Sequence, residues 1–88
     1  ECGQYNEAWA AIHMMPEQSV QAGIDVGANL LMPIHWGAFE LSIHEWTDPI
    51  KRFKAESIRL DQEIAHPFIG ERFQLGKDLP QNAWWELE

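Results

Sequence analysis

The stretch PIHWGAFELSIHEW, Pro33 to Trp46, ends an apolar run with a histidine, a tryptophan and a glycine. The run itself is LLMPI, Leu30–Ile34, and its length favours a strand buried on both faces, as in parallel α/β sheets. Because Pro33 cannot donate to a strand ladder, we expect the strand to end there. His35 would then follow the carboxyl end of the strand, where open α/β folds build their sites.

Two helices are predicted on either side of this strand. Over Pro16–Ala28 the apolar residues recur every four positions, which is typical of an amphipathic helix, and proline suits its first turn. A longer helix is predicted over Pro49–Ala65, with apolar residues at spacings of three and four. Asp48 or Thr47 would cap its start, and Pro67 would end it.

A second strand completes the predicted order. Glu71–Gly76 alternates apolar Phe73 and Leu75 with polar residues, the pattern of a half-exposed strand, and the tail from Lys77 to Glu88 is predicted to be a loop. The chain is therefore expected to have an α/β fold with the order helix-strand-helix-strand.

Composition limits the class of protein. The 88 residues, 45% hydrophobic and 23% charged, fit at most one small globular domain. A formal net charge of −8 argues against nucleic acid and anionic lipid as partners, since both are bound through Lys and Arg. The single cysteine, Cys2, favours a cytoplasmic location, and no apolar run is long enough for a membrane span.

His35 is the strongest candidate for chemistry. Neutral imidazole is the commonest metal ligand, and a strand would hold it rigidly. No other His, Cys or Asp stands at a local ligand spacing, and zinc needs at least three protein ligands. Any zinc site that includes His35 must therefore be completed by residues outside this chain.

The motif resembles a known family. MPIHWGAFELSIHEWTDPIKRF is similar to the C-terminal His-Trp-Gly segment of the metallo-β-lactamase-fold hydrolases related to N-acyl phosphatidylethanolamine-hydrolysing phospholipase D. The upstream GQYNEAWAAIHMMPEQSV resembles the segment that precedes it there. The resemblance implies that residues 1–86 form the C-terminal part of an αββα domain. We interpret residues 87–88 as the remnant of an expression tag.

The resemblance also implies roles for residues. His35 would be the last ligand of a dinuclear zinc site, and His13 would face the active site as a catalytic, polarising or proton-handling group. Ala38 and Met15 depart from the family pattern and leave fine specificity open. The main metal motif of the family, His-x-His-x-Asp-His, is missing from this chain. From the sequence itself, Trp36 is expected to pack beside the site. Glu40 is expected either to be solvated or, since it lies close to His35 in sequence, to hydrogen-bond that histidine and support it.

These assignments imply a zinc-dependent hydrolase acting on a phosphodiester or related ester of a small molecule or lipid. The chain alone would be inactive, would bind zinc weakly and would be poorly ordered or self-associate. Two alternatives stay open. One is a small acidic α/β protein-interaction module without catalysis, whose tryptophans form the binding patch. The other is a relative of the bacterial ascorbate 6-phosphate lactonases.

The remaining histidines and tryptophans have plainer interpretations. His44 is expected at the surface or at a helix cap, and His66 is expected to be structural beside the helix end at Pro67. Trp84 and Trp85 are expected to cover apolar surface contributed by residues outside this chain.

Overall fold

The computed structural model describes residues 1–37, 44–77 and 79–86. A short 3-10 helix at Glu7–Trp9 precedes two α-helices, α1 at Pro16–Asp25 and α2 at Asp48–Arg59. The two α-helices pack against each other. Both predicted helices are present, and both are shorter than predicted.

The helices end early because each adopts a Schellman motif. After α1, Gly27 has a φ of 77°, its N–H donates to Ile24, and the Ala28 N–H donates to Gly23 over 3.0 Å. Asp61 does the same after α2, with a φ of 54°. Its N–H donates to Ile58. Pro67 therefore does not end α2, since the helix stops at Arg59.

The predicted α/β fold is wrong for the described residues, which contain two helices and no strand. The run Leu30–Ile34 makes one isolated parallel bridge, between Leu31 and Ile64, and Met32 and Ile34 are exposed and not buried on two faces. Residues 71–74 have no regular structure, Leu75 and Gly76 form a turn, and the Leu75 side chain is exposed. An apolar run forms a strand only where a neighbouring strand offers it a ladder of backbone hydrogen bonds. Within the described residues the neighbouring segments form only isolated bridges. A helix-strand-helix-strand piece of an αββα fold therefore does not describe this chain.

The core lies between the helices and the segments that flank them. Cys2, Val20, Phe53 and Ile64 are buried together, and a second set of partly buried residues surrounds them: Ile24, Leu31, Trp36 and Leu60. The N-terminal residues are thus built into the core and not laid over it. No helix in the described part of the chain is long and apolar enough to cross a membrane.

Candidate functional site

His13 and His35, the two histidines that the resemblance selects, meet at one carboxylate. Nδ1 of His35 lies 3.0 Å from Oε2 of Glu1, and Nδ1 of His13 lies 3.4 Å from Oε1 of the same side chain. The Glu1 side chain is about four-fifths buried, with 20% exposed. Residues far apart in sequence therefore converge on one small polar cluster.

The N-terminal residues place this carboxylate. The Cys2 N–H donates to the Ile34 carbonyl over 3.0 Å, and the Ser19 hydroxyl donates to the Glu1 carbonyl. The Cys2 side chain is fully buried in the core. The backbone of Glu1 is thus tied both to α1 and to the segment that carries His35.

His35 combines a fixed nitrogen with an open one. Its side chain is 56% exposed, and no hydrogen bond within the described residues engages its Nε2. Its φ of 65° lies in the left-handed region, which is uncommon for a residue other than glycine. Such a backbone outlier is often found at functional positions.

His13 is the more enclosed of the two. Its Nδ1 is buried and makes no hydrogen bond among the described residues, although it lies 3.4 Å from Oε1 of Glu1. The side chain is 24% exposed, so the exposed part of the ring lies at its other atoms. The Trp9 ring lies beside it, with the ring centroids 5.8 Å apart.

Electrostatics favour an ionised carboxylate at this position. Partial burial acts to raise the pKa of Glu1, but the hydrogen bond from His35 and the electrostatic attraction of His13 lower it below the ordinary value. A carboxylate that stays ionised can only accept hydrogen bonds, so in its 3.0 Å contact with His35 it accepts the ring N–H.

Trp36 begins an aromatic cluster on the other side of His35. It stacks on Trp84, with the centroids 4.9 Å apart, and meets the edge of Trp85 at 5.6 Å. Its indole N–H donates to the Pro33 carbonyl over 3.2 Å. Trp84 and Trp85 therefore pack on this chain's own residues, which differs from the expectation that they cover surface from elsewhere.

An open groove of about 290 Å³ runs along this cluster. Most of its lining is apolar, and several of the apolar side chains are exposed. It is lined by Met32, Ile34, His35, Trp36, Phe68 and Ile69, among others. The candidate metal-binding histidine thus lies at the edge of an apolar surface.

The other two histidines are structural. His44 Nε2 accepts from the Gln4 N–H over 3.0 Å, and its Nδ1 contacts the Glu45 carbonyl at 2.9 Å, so both nitrogens are used. His66 is buried, and its Nδ1 lies 2.9 Å from the Asn82 carbonyl. The predicted helix end beside His66 is absent, since α2 ends at Arg59, and the burial and the contact with Asn82 are consistent with a structural role. Glu40 and Ala38 lie outside the described residues.

A complete metal centre is not found among the described residues, since no three His, Cys, Asp or Glu side chains are grouped to hold an ion. His35 by itself fits a ligand, because its Nε2 is open while its other nitrogen is held by a carboxylate, a common arrangement for metal-binding histidines. Sequence reasoning did not find Glu1, and no local pattern marks it, because its partners are distant in sequence.

Comparisons with known proteins place the sequence among longer chains. It is 39% identical to an uncharacterized protein of Mycobacterium tuberculosis H37Rv and to one of Mycobacterium bovis, over 97% of this chain and 24% of each relative. A stretch of 37 residues, 42% of this chain, is 46% identical to 28% of the outer membrane protein RomA of Klebsiella pneumoniae. The chain spans about a quarter of the length of the mycobacterial relatives. No family model matches it, and no solved structure matches it significantly.

Proposed function

We propose that this chain supplies part of the site of a zinc-dependent hydrolase, with His35 as a metal ligand and His13 as a catalytic, proton-handling residue. The observation that carries the proposal is the convergence of these two histidines on one carboxylate, over 3.0 and 3.4 Å. The two histidines lie 22 positions apart in the sequence and still contact the same side chain.

His35 would offer its Nε2 lone pair to the metal. The ring is more than half exposed and is held at the other nitrogen, so it can bind an ion without rearranging. The remaining ligands of a dinuclear site would come from residues outside this chain. When bound, zinc supplies a water of lowered pKa and stabilises the negative charge that develops on a phosphoryl or acyl oxygen.

His13 would act on the proton of the reacting group. Its Nδ1 faces the interior without a hydrogen bond within the described residues, and the rest of the ring reaches the surface. A ring in this position can pass a proton between solvent and an adjacent group. It lies deeper than His35, which suits a residue that handles protons and does not bind the metal.

The substrate would be a phosphodiester or a related ester, carried by a small molecule or by a lipid. The apolar groove beside His35 is consistent with a substrate that has an apolar portion. A lactone, as hydrolysed by the ascorbate 6-phosphate lactonases, is the alternative within the same class of reaction. The proposed setting is the reducing cytoplasm, because the one cysteine of the chain, Cys2, has no second cysteine with which to form an internal disulfide.

The test is made in the complete protein that carries this sequence. We expect His35→Ala to lower bound zinc and the hydrolysis of a phosphodiester probe, while His13→Ala lowers hydrolysis and leaves zinc bound. His44→Ala is the matched control, since His44 is structural and lies outside the cluster. Zinc content and rate unchanged by His35→Ala would refute the proposal.

A second candidate is a protein-interaction module without catalysis, and the exposed apolar side chains of the groove favour it. Phe68 and Ile69 are both more than half exposed beside the aromatic cluster. This candidate predicts that the isolated chain associates. Sedimentation would then show a concentration-dependent mass for the native chain and a monomer for Ile69→Lys. A monomeric native chain would count against it.

A further inference from the structure

We infer that the segment Glu1–Gly3 is the positioning element of His35: the Glu1 carboxylate fixes the imidazole tautomer, and Gly3 permits the backbone approach that the arrangement requires. The positions of Glu1 and Gly3 against His35 are seen directly in the structure. Only its consequence for metal binding rests on the proposed function.

The tautomer follows from the chemistry of the contact. An ionised carboxylate has no proton to donate, so the 3.0 Å contact between Oε2 of Glu1 and Nδ1 of His35 requires that Nδ1 carry the hydrogen. In the neutral ring the lone pair must then lie on Nε2, which is the nitrogen without a hydrogen bond in the described part of the chain. Glu1 thereby decides which nitrogen is available to a metal.

The carboxylate is itself held in place. The Ser19 hydroxyl of α1 donates to the Glu1 carbonyl, and the next residue, Cys2, is fully buried. The Cys2 N–H also donates to the carbonyl of Ile34, the residue that precedes His35. The carboxylate and the imidazole therefore belong to two backbone segments that are bonded to each other, which restricts their relative motion.

Gly3 fits against the backbone of His35. A Cβ placed on Gly3 would lie 1.7 Å from the carbonyl oxygen of His35 and 3.2 Å from Cα of Trp36. Both atoms are backbone atoms, so neither can move aside as a flexible side chain would. Any residue larger than glycine at position 3 must displace His35, whose left-handed φ of 65° already limits its conformational choices.

The first experiment measures the tautomer directly in the metal-free protein. With ¹⁵N-labelled histidine, the protonated and unprotonated ring nitrogens of His35 are distinguished by their chemical shifts. We expect the Nδ1–H form to dominate in the native chain and a mixture to appear in Glu1→Ala. Glu7→Ala is the matched control, since Glu7 is an exposed glutamate in the 3-10 helix. An unchanged tautomer in Glu1→Ala would overturn the inference.

The second experiment uses Gly3→Ala with Gly23→Ala as its control. The three atoms nearest to a Cβ on Gly23 all belong to the side chain of Leu31, the closest at 2.3 Å, so that variant perturbs packing at a flexible side chain and not at the backbone of His35. We expect Gly3→Ala to shift the His35 ring resonances, and Gly23→Ala to leave them in place at a comparable loss of stability. If both variants shift them equally, Gly3 has no positioning role.

Zinc affinity in the complete protein separates this inference from the proposed function. Loss of a residue that supports a metal ligand lowers affinity by roughly 10- to 100-fold, and we expect that loss in Glu1→Ala. If Glu1→Ala alters the tautomer while His35→Ala leaves zinc unaffected, the positioning role stands and the proposed function fails. If zinc depends on His35 but neither tautomer nor affinity responds to Glu1→Ala, the proposed function stands and the positioning role fails.

Discussion

Arg52 of α2 donates two hydrogen bonds to the carboxylate of Glu17 in α1, from Nε over 2.8 Å and from Nη2 over 2.6 Å. The same guanidinium lies over the Tyr5 ring, 4.8 Å from its centroid, and 3.5 Å from Asp48. Tyr5 also donates to Asp48. One side chain thus joins the two helices to the N-terminal segment that reaches the histidine cluster.

Glu17→Gln should lower the free energy of unfolding by about 0.5 to 1 kcal/mol. Exposed ion pairs contribute little, and this one stands near the upper limit because it is bidentate and partly buried. Urea unfolding measures the change. Glu56→Gln is the control, because Glu56 pairs with Arg59 inside α2 and joins no two elements. An equal loss of unfolding free energy in both variants would show that the ion pair between the helices stabilises the fold no more than the pair within α2 does.

The same pair predicts an acid-dependent loss of stability. The hydrogen bonds that Arg52 donates hold the pKa of Glu17 below its ordinary value, against a smaller opposing effect of burial. Because the folded pKa is below the unfolded one, the stabilisation is present above about 4.5 and disappears as the pH falls through the folded pKa. The difference in stability between native protein and Glu17→Gln should therefore shrink on acidification. A difference that stays constant with pH would contradict this assignment.

The two Schellman motifs predict substitutions of opposite sign. Asp61 has a φ of 54°, where glycine is unstrained, so Asp61→Gly should raise the free energy of unfolding by roughly 0.5 kcal/mol. Gly27 occupies the equivalent position after α1 with a φ of 77°, and Gly27→Ala should lower it by roughly 1 kcal/mol. Among the described residues, no atom beyond Gly27 and its two chain neighbours lies within 4 Å of the added Cβ, so the variant tests backbone strain. Equal signs in thermal unfolding would rule out the left-handed caps.

The sequence predicted the presence and the N-terminal ends of the two helices well, and their C-terminal ends poorly. Proline at the first turn and apolar residues at helical spacing located the starts of α1 and α2 to within a residue. Gly27 carried a readable stop signal, but Asp61 did not, because aspartate is rarely a left-handed cap. The strand predictions were wrong because a pattern of apolar residues does not supply a partner strand, and Leu31 finds only one bridge to Ile64.

The site was predictable only in part. His13 and His35 were selected through the resemblance, and the cluster in which they lie could not be derived from spacing because it depends on long-range folding. Glu1 contacts His35 across 34 positions. The Glu1 carboxylate is positioned by the burial of Cys2 and by the hydrogen bond from Ser19. No local sequence pattern predicts either of them.

The tail is expected to be essential for stability, and Trp85 tests this. Its side chain is 3% exposed, it meets the ring of His66 edge-on at 5.0 Å, and Lys54 lies over it at 5.6 Å. Removing a buried tryptophan costs about 3 to 5 kcal/mol, a large share of the stability of a small domain, so Trp85→Ala should lower the urea midpoint sharply. Trp46→Ala is the control, because Trp46 is only partly buried and contacts the cluster at 6.3 Å through Trp84. If the two variants lose stability equally, the packing of the tail on this chain would be refuted. The tryptophans would then be free to cover a surface outside it.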